Sequence, residues 1–232
     1  MPNTPETPRL YSDLAWLWLL WGGPEAYADY CRQVSRWCRE QARIPVRSLL
    51  NIACGGGKNV FHLKREHAVT GLDLSPTMLD LARALNPDVA FVQGDMRSFE
   101  LSRRFDAVLL DDGVAYMASR ADLQATFASA WRHLHTGGVM VVTPDETRET
   151  FVQNRTLSTP VRGENDLDHV EVVFVENSYD PNPDDDHYEG TMVYLIRERG
   201  ELRVETDRHR LGLFSIALWR ETLTAVGFEV EE

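Results

Sequence analysis

Residues 48–73 constrain this chain more than any other stretch. An apolar run of strand length, Ser-Leu-Leu-Asn-Ile, passes through Ala53 and Cys54 into three successive glycines, Gly55, Gly56 and Gly57. A short helical run follows, and a second apolar run ends on the carboxylate of Asp73. Strand, glycine turn, helix and acid-tipped strand are the front half of a nucleotide-binding βαβ unit. Glycines let the backbone turn sharply and let a ligand come where a Cβ would collide. A dinucleotide site would carry a further glycine at position 60, where Val60 stands. The open spacing argues against a bound pyrophosphate and fits a nucleoside whose ribose hydroxyls are gripped by Asp73.

The signals that follow keep the same rhythm. Ser75 and Pro76 open a helix over residues 75–85, with Met78, Leu79, Leu81, Ala82 and Leu85 as its buried stripe, and Asn86-Pro87 stops it. A third strand, residues 89–93, runs into Gly94-Asp95-Met96, and a fourth, residues 105–110, into Asp111-Asp112-Gly113. A helix over residues 121–134 is terminated at Thr136-Gly137-Gly138, and residues 139–143 form the fifth strand. This alternation predicts an α/β doubly wound, mostly parallel sheet with helices on both faces. Ligands of such sheets sit at the carboxyl ends of the strands, where the glycine turn, Asp73, Asp95, Asp111 and Asp112 all fall.

On these residues the chain resembles the class I S-adenosylmethionine-dependent methyltransferases. Their first motif runs acidic residue, any residue, Gly, any residue, Gly, any residue, Gly. Asn51 replaces the acid here and Ala53 the first glycine, while Gly55 and Gly57 are kept. Leu134–Gly138 looks like the family's Leu-x-Pro-Gly-Gly with Thr136 in place of proline. The resemblance implies S-adenosylmethionine as cofactor, S-adenosylhomocysteine as product and in-line methyl transfer to nitrogen or oxygen of a small molecule. It implies cofactor contacts from Tyr11, Asn51, Ala53, Cys54, Gly55, Gly57, Asp73, Leu74, Met78, Gly94, Asp95, Met96 and Asp111. Asp95 would reach the adenine amine. Tyr116, Asp112 and His209 are the candidate catalytic groups, and His169 is a further strand histidine. A later segment, His209-Arg210-Leu211-Gly212-Leu213-Phe214-Ser215, with a helix ending at Gly227-Phe228, is similar to the glycine and amino-sugar N-methyltransferases.

The remaining segments divide around that core. Residues 1–42 are read as a proline-containing tail over residues 1–9 followed by lid helices: an aromatic run with Tyr11, Trp16, Trp18 and Trp21 lies over the site, and residues 24–42 have helical spacing. The aromatic run is too short to span a bilayer and lacks the basic leader of a signal peptide. Residues 43–150 are the cofactor core, 151–214 an inserted substrate roof and 215–232 a return to the core. Within the later segments, 146–154 is expected to be helical and 157–166 a loop. Extended runs at 170–179, 188–197 and 202–213 then make an antiparallel three-stranded meander. Leu202, Val204 and Thr206 alternate with Arg203, Glu205 and Asp207, which predicts one dry and one wet face. A helix over 215–226 and a strand beginning at 228–232 close the chain.

A net charge of −12 and a pI near 5.0 argue against nucleic-acid or anionic-membrane partners, because phosphate binding relies on Lys and Arg patches. Cys31 and Cys38 lie too far apart along one helix to pair, and Cys54 sits in the turn, so a reducing cytoplasm is expected. Asp111 and Asp112 with Asp145 invite a magnesium ion, but the further acidic and amide pair of the metal-dependent methyltransferases is missing, and no metal is expected. The expected partner is a small-molecule methyl acceptor; a homodimer stays open. Two alternatives stand beside the enzyme: a non-catalytic S-adenosylmethionine-binding module, for which Asn51 and Ala53 speak, and an NAD-dependent oxidoreductase, which Val60 opposes.

Overall fold

A computed structural model describes residues 8–231, without the side chain of Asn165; residues 1–7, most of the expected tail, and residue 232 lie outside the described residues. Strands β1 (Ser48–Ile52), β2 (Ala68–Asp73), β3 (Ala90–Gln93), β4 (Phe105–Leu110) and β5 (Leu134–Val142) make one parallel sheet in the order β3-β2-β1-β4-β5. Adjacent Leu49 and Leu50 on β1 are both fully buried because strand alternation sends one to each face. Leu49 meets Cys31, Val34, Val60, Leu63 and Leu79 of helices α1 (Ala28–Gln41), α2 (Lys58–Leu63) and α3 (Pro76–Leu85). Leu50 meets Leu123, Phe127, Leu218 and Trp219 of α4 (Arg120–Arg132) and α5 (Ile216–Val226). Each such side chain contributes about 1.5–3 kcal/mol by leaving water. The strand order reverses where the connecting helices change face, as crossovers of one hand require, so the tips of β1, β2 and β4 diverge into a ligand-binding edge.

The helix starts expected at Ser75 and Ser215 are capped, their Oγ atoms accepting backbone N–H groups at 3.1 and 3.2 Å, and Ser119, which was not expected to cap, does the same for α4 at 3.2 Å. The glycine pair after α4 has another use than ending the helix. The helix stops at Arg132, and Leu134–Val142 is already strand. Gly137, at φ +84°, accepts the Arg43 N–H on its carbonyl, and a Cβ on Gly138 would lie 2.7 Å from the Asp106 carbonyl oxygen. The pair therefore lets β5 run close to β4.

The second sheet has four antiparallel strands, β6 (Arg155–Arg162), β7 (Val170–Tyr179), β8 (His187–Glu198) and β9 (Glu201–Gly212), in that order. The expected loop at 157–166 is thus largely strand. It is an edge strand, mostly exposed and carrying Pro160, so its order comes from pairing with β7 rather than from its own pattern. Residues 146–154 form turns instead of a helix. Glu146 is buried and bound to Arg155 and to the Thr150 hydroxyl, the Arg148 N–H goes to the Phe214 carbonyl, and Asn154 is left-handed at φ +59°. Residues 228–231 are not strand either; the Phe228 N–H turns back to the Leu223 carbonyl at 3.1 Å and its ring packs 4.8 Å from Trp131.

The dry face of β9 is the opposite of the one its apolar residues suggest. Leu202 and Val204 are about half exposed, whereas Asp207, His209 and Leu211 are buried. The reversal has its cause in the N-terminal segment, which lies on that face. It is not an α-helix but three short 3-10 turns, Arg9–Tyr11, Ala15–Leu19 and Pro24–Tyr27. Leu10, Leu14, Leu17 and Leu20 pack on Val172, Phe174, Tyr194 and Ile196 of the sheet, Trp21 lies 4.5 Å from Phe174, Arg9 pairs with Glu205 and the Leu10 N–H bonds Asp207. No helix among the described residues is long and apolar enough to cross a membrane.

Because Leu17 is fully buried between this segment and the sheet, Leu17→Ala is expected to cost about 2–5 kcal/mol. Amide hydrogen exchange should locate that loss: residues 8–21 exchange faster, while β1, β2 and β4 keep their protection.

Candidate active site

The turn after β1 is held by its neighbours. Ala53 and Gly55 are both left-handed at φ +52°. The Gly55 N–H donates to Asp73 Oδ2 at 2.7 Å, and the Ser75 N–H donates to Oδ1 at 2.9 Å. Burial raises the Asp73 carboxyl above its usual value, and the bonded amides oppose that shift. Two accepted bonds leave further lone pairs on this carboxylate. Gly94 ties the β3 tip to the same place through its N–H and the Asp73 carbonyl at 2.9 Å. Leu74 is 56 % exposed there.

Of the expected cofactor residues, some lie along this edge and some lie under it. Ala53, Gly55, Asp73, Leu74, Gly94, Asp95 and half-buried Met96 follow the strand tips. Asn51, Cys54 and Met78 are buried beneath the turn. The Cys54 thiol, raised well above its usual pKa by burial, faces Gly71, and Met78 lies against Gly55. Gly57 serves packing, since a Cβ there would stand 2.8 Å from Asn86 Nδ2 and 3.0 Å from Ala82 Cβ. Asp95 is already gripped by Arg97, whose Nη2 lies 2.6 Å from Oδ2 and whose N–H bonds Oδ1 at 2.9 Å, and Arg97 holds its carboxyl below the usual range.

Three carboxylates stand past β4 and β5. Asp111 is clasped: Oδ1 accepts from the Tyr30 hydroxyl at 2.8 Å and the Thr143 hydroxyl at 2.5 Å, and Oδ2 from Asn59 Nδ2 at 2.8 Å. It fixes the strand tip to α1, α2 and β5. Asp112 and Asp145 are reached by solvent but surrounded by protein, and this crowding together with their mutual repulsion and that of Asp111 raises both above the usual carboxylate range. The two share a proton more readily than either carries a full charge. Among the described residues no group of three or more His, Cys, Asp and Glu side chains is arranged to hold a metal ion.

Opposite the carboxylates, a line of polar groups joins three distant segments. The Tyr116 hydroxyl donates to the Tyr11 hydroxyl at 2.9 Å and meets His209 Nδ1 at 2.7 Å. His209 is buried, and its Nε2 stands 3.1 Å from Asp207 Oδ2 without hydrogen-bond alignment. Burial, first of all, raises the Tyr116 and Tyr11 phenols, so both stay protonated at neutral pH. His169 is not brought here; it lies beside Asp168 and Glu198.

Asp207 and Lys58 belong to this region without having been singled out, and Trp18, expected only as part of the aromatic lid, lies directly on the glycine turn. Asp207 had a signal, since it stands two residues from His209 on one strand and therefore shares its face. The Trp18 indole covers the glycines, and its Nε1 would lie 2.5 Å from a Cβ on Gly56. Lys58 is buried and donates to the Trp18 and Trp21 carbonyls at 2.9 and 3.0 Å, which ties α2 to the N-terminal segment. An adenosyl amino acid suits these residues: Asp73 keeps acceptor capacity, Gly56 tolerates no Cβ, and the buried Asn51 Oδ1 and Trp18 Nε1 have no partner in the protein.

Comparison with known proteins agrees on one family. A family model described as a methyltransferase domain matches residues 49–138. The chain is 35% identical over 192 residues to dTDP-3-amino-3,4,6-trideoxy-alpha-D-glucopyranose N,N-dimethyltransferase of Streptomyces venezuelae, covering 79% of this chain and 76% of that one. It is 34% identical over 191 residues to dTDP-3-amino-3,6-dideoxy-alpha-D-glucopyranose N,N-dimethyltransferase of Streptomyces fradiae, covering 79% and 71%. The crystal structure of Streptomyces venezuelae DesVI superposes with a TM-score of 0.82 at 32% identity, over 94% of this chain and 89% of that one.

The family's first glycine has a direct structural counterpart in Ala53. A Cβ added to Gly113 would lie 2.3 Å from Ala53 Cβ, with every other neighbour beyond 3.6 Å. Gly113→Ala should therefore destabilise by about 1–3 kcal/mol through overlap. In an Ala53→Gly background most of that cost should vanish. Urea unfolding of the two single variants and the double variant should give a coupling of at least about 1 kcal/mol.

Proposed function

The chain belongs to the class I S-adenosylmethionine-dependent methyltransferases, and from that premise we propose that it methylates the amino nitrogen of a nucleotide-linked amino sugar. The observation that carries this reading is the reach of the similarity. An alignment of 192 residues extends well past the 90 of the matched methyltransferase domain, so the likeness to an amino-sugar N,N-dimethyltransferase takes in segments outside the cofactor core. A nicotinamide-dependent oxidoreductase finds no support there. The three cysteines are free and buried, which supports a reducing compartment such as the cytoplasm.

Bound S-adenosylmethionine supplies a sulfonium-borne methyl group open to in-line displacement by the acceptor nitrogen. The protein's share is to hold, orient and exclude water, which can contribute on the order of 7–11 kcal/mol at best. Asp73, fixed by Gly55 and Ser75, would take the ribose hydroxyls. Asp111, saturated by Tyr30, Thr143 and Asn59, acts as a positioning residue for the β4 tip. An amino sugar arrives largely as an ammonium and must lose a proton before its lone pair can attack. The Asp112–Asp145 pair draws the cation in, and its raised affinity for protons suits it to take that one. Tyr116 keeps its own proton and orients the acceptor, with His209 and Asp207 fixing it from behind.

Incubation with S-adenosylmethionine and a panel of amino-sugar nucleotides, read by mass spectrometry, tests this. Methylated amine should appear. Cofactor binding without turnover on any acceptor would instead favour a non-catalytic module, and turnover confined to hydroxyl acceptors would overturn the choice of nitrogen.

Asp112→Asn separates chemistry from folding. Activity should fall about 10²-fold or more if the pair moves the proton. Stability should shift the other way. A carboxylate whose folded pKa is raised stabilises the fold below its unfolded pKa and loses that contribution as pH rises through the folded value. Asp112→Asn should therefore raise the thermal midpoint at pH 8 and leave it nearly unchanged at pH 4, as calorimetry at the two pH values would record.

A further inference from the structure

Resting on the cofactor just assigned, we propose that Trp18 and Lys58 form a clamp for the carboxylate of the cofactor's amino-acid arm. Two independent features of the protein ask for an anion at this spot. The Trp18 indole N–H is buried against the Gly55-Gly56 turn and has no acceptor. An orphaned donor of that kind is costly, and a ligand acceptor would satisfy it. Lys58, only 6 % exposed, stands with its Nζ 4.6 Å from the centre of the Trp18 ring. Its two hydrogen bonds go to neutral carbonyls, and no ion pair of Lys58 is present among the described residues.

The geometry makes Lys58 both the fastener of the segment and its charge. An ammonium has three donors. Two hold the carbonyls of residues 18 and 21, which sets the indole over the glycines; the ammonium stands 4.6 and 5.7 Å from the Trp18 and Tyr27 ring centres, and its third donor has no hydrogen-bond acceptor among the described residues. Gly56 is the place where the clamp would meet the turn, because any Cβ there would strike the indole nitrogen. In a chain of net charge −12, a buried cation without a counter-ion beside an unpaired N–H is suited to a carboxylate.

Titration calorimetry with matched ligands tests the clamp. In the wild-type protein S-adenosylmethionine should bind at least about tenfold more tightly than decarboxylated S-adenosylmethionine, which keeps adenosine, sulfonium and amine and lacks only the carboxylate. In Lys58→Met and Trp18→Phe that ratio should fall toward one, while the affinity for 5′-methylthioadenosine, which has no amino-acid arm, stays within about twofold. Equal wild-type affinities for the first two ligands would overturn the clamp. So would variants that lose 5′-methylthioadenosine as strongly as S-adenosylmethionine, since that marks a structural role. Should one variant fail to fold, the ratio in the other decides. If the wild-type protein binds none of the three, the cofactor assignment itself falls, an outcome distinct from a missing preference for the carboxylate.

Discussion

The hydrogen bond from the Gly55 N–H to Asp73 Oδ2, at 2.7 Å, is the interaction on which the site depends. It joins the tip of β1 to the tip of β2 at the point where two left-handed residues reverse the chain. The turn could not stay open by itself, because a left-handed alanine costs on the order of 1 kcal/mol. The cost is offset locally: the Asp73 carboxylate fixes Gly55, the Cys54 N–H bonds the Leu72 carbonyl, and Met78 fills the space below. The carboxylate that would grip a nucleoside therefore also holds the surface on which the nucleoside lies. Binding and folding of this edge are one problem.

A second constraint closes the site from the other side. The N-terminal segment carries little regular hydrogen bonding of its own, and its order comes from Leu10, Leu14, Leu17 and Leu20 on the antiparallel sheet and from Lys58 below. Tyr11 is thereby delivered to Tyr116, and Tyr116 to His209. Three elements far apart in sequence meet through side-chain oxygens and nitrogens in a buried setting, where such contacts are strong when complete and costly when broken. The roof sheet is thus part of the site's positioning as well as a cover.

What could be read from the chain follows from what each element owes to local pattern. β1, β2 and β4 are buried on both faces, so their apolar runs announce them, and the serine caps and the Gly55–Gly57 turn carry their own chemistry. β6 could not be read, because an edge strand with exposed Ser and Thr and a proline looks like a loop until its partner is present. On β9, Leu202 and Val204 pointed to the wrong face, since the covering segment brings arginine, tyrosine and backbone amides and selects Glu205, Asp207 and His209 to face it. The residues at the strand tips were visible as a group. The division among them, with Asp73 lining the edge, Asp111 clasped and Cys54, Gly57 and Met78 buried beneath, is set by partners up to 81 positions away, such as Tyr30 on Asp111.

The two departures from the family's first motif become intelligible in the same physical terms. Ala53 costs strain, and Gly113 is its complement across the edge, so the missing glycine has in effect moved to the neighbouring loop. Asn51 stands in register with Leu109, two residues before Asp111 on β4, at an edge that already carries Asp111, Asp112 and Asp145. Those carboxylates repel one another enough to raise the proton affinity of Asp112 and Asp145. A further acid at position 51, a side chain only 1% exposed, would add to that repulsion from a place that water does not reach. An amide keeps an acceptor oxygen there, buried and without a protein partner, while removing the charge. The sequence change and the crowded carboxylates are two sides of one electrostatic balance, in which negative charge is concentrated where the acceptor amine would arrive and withheld where the strand is driest.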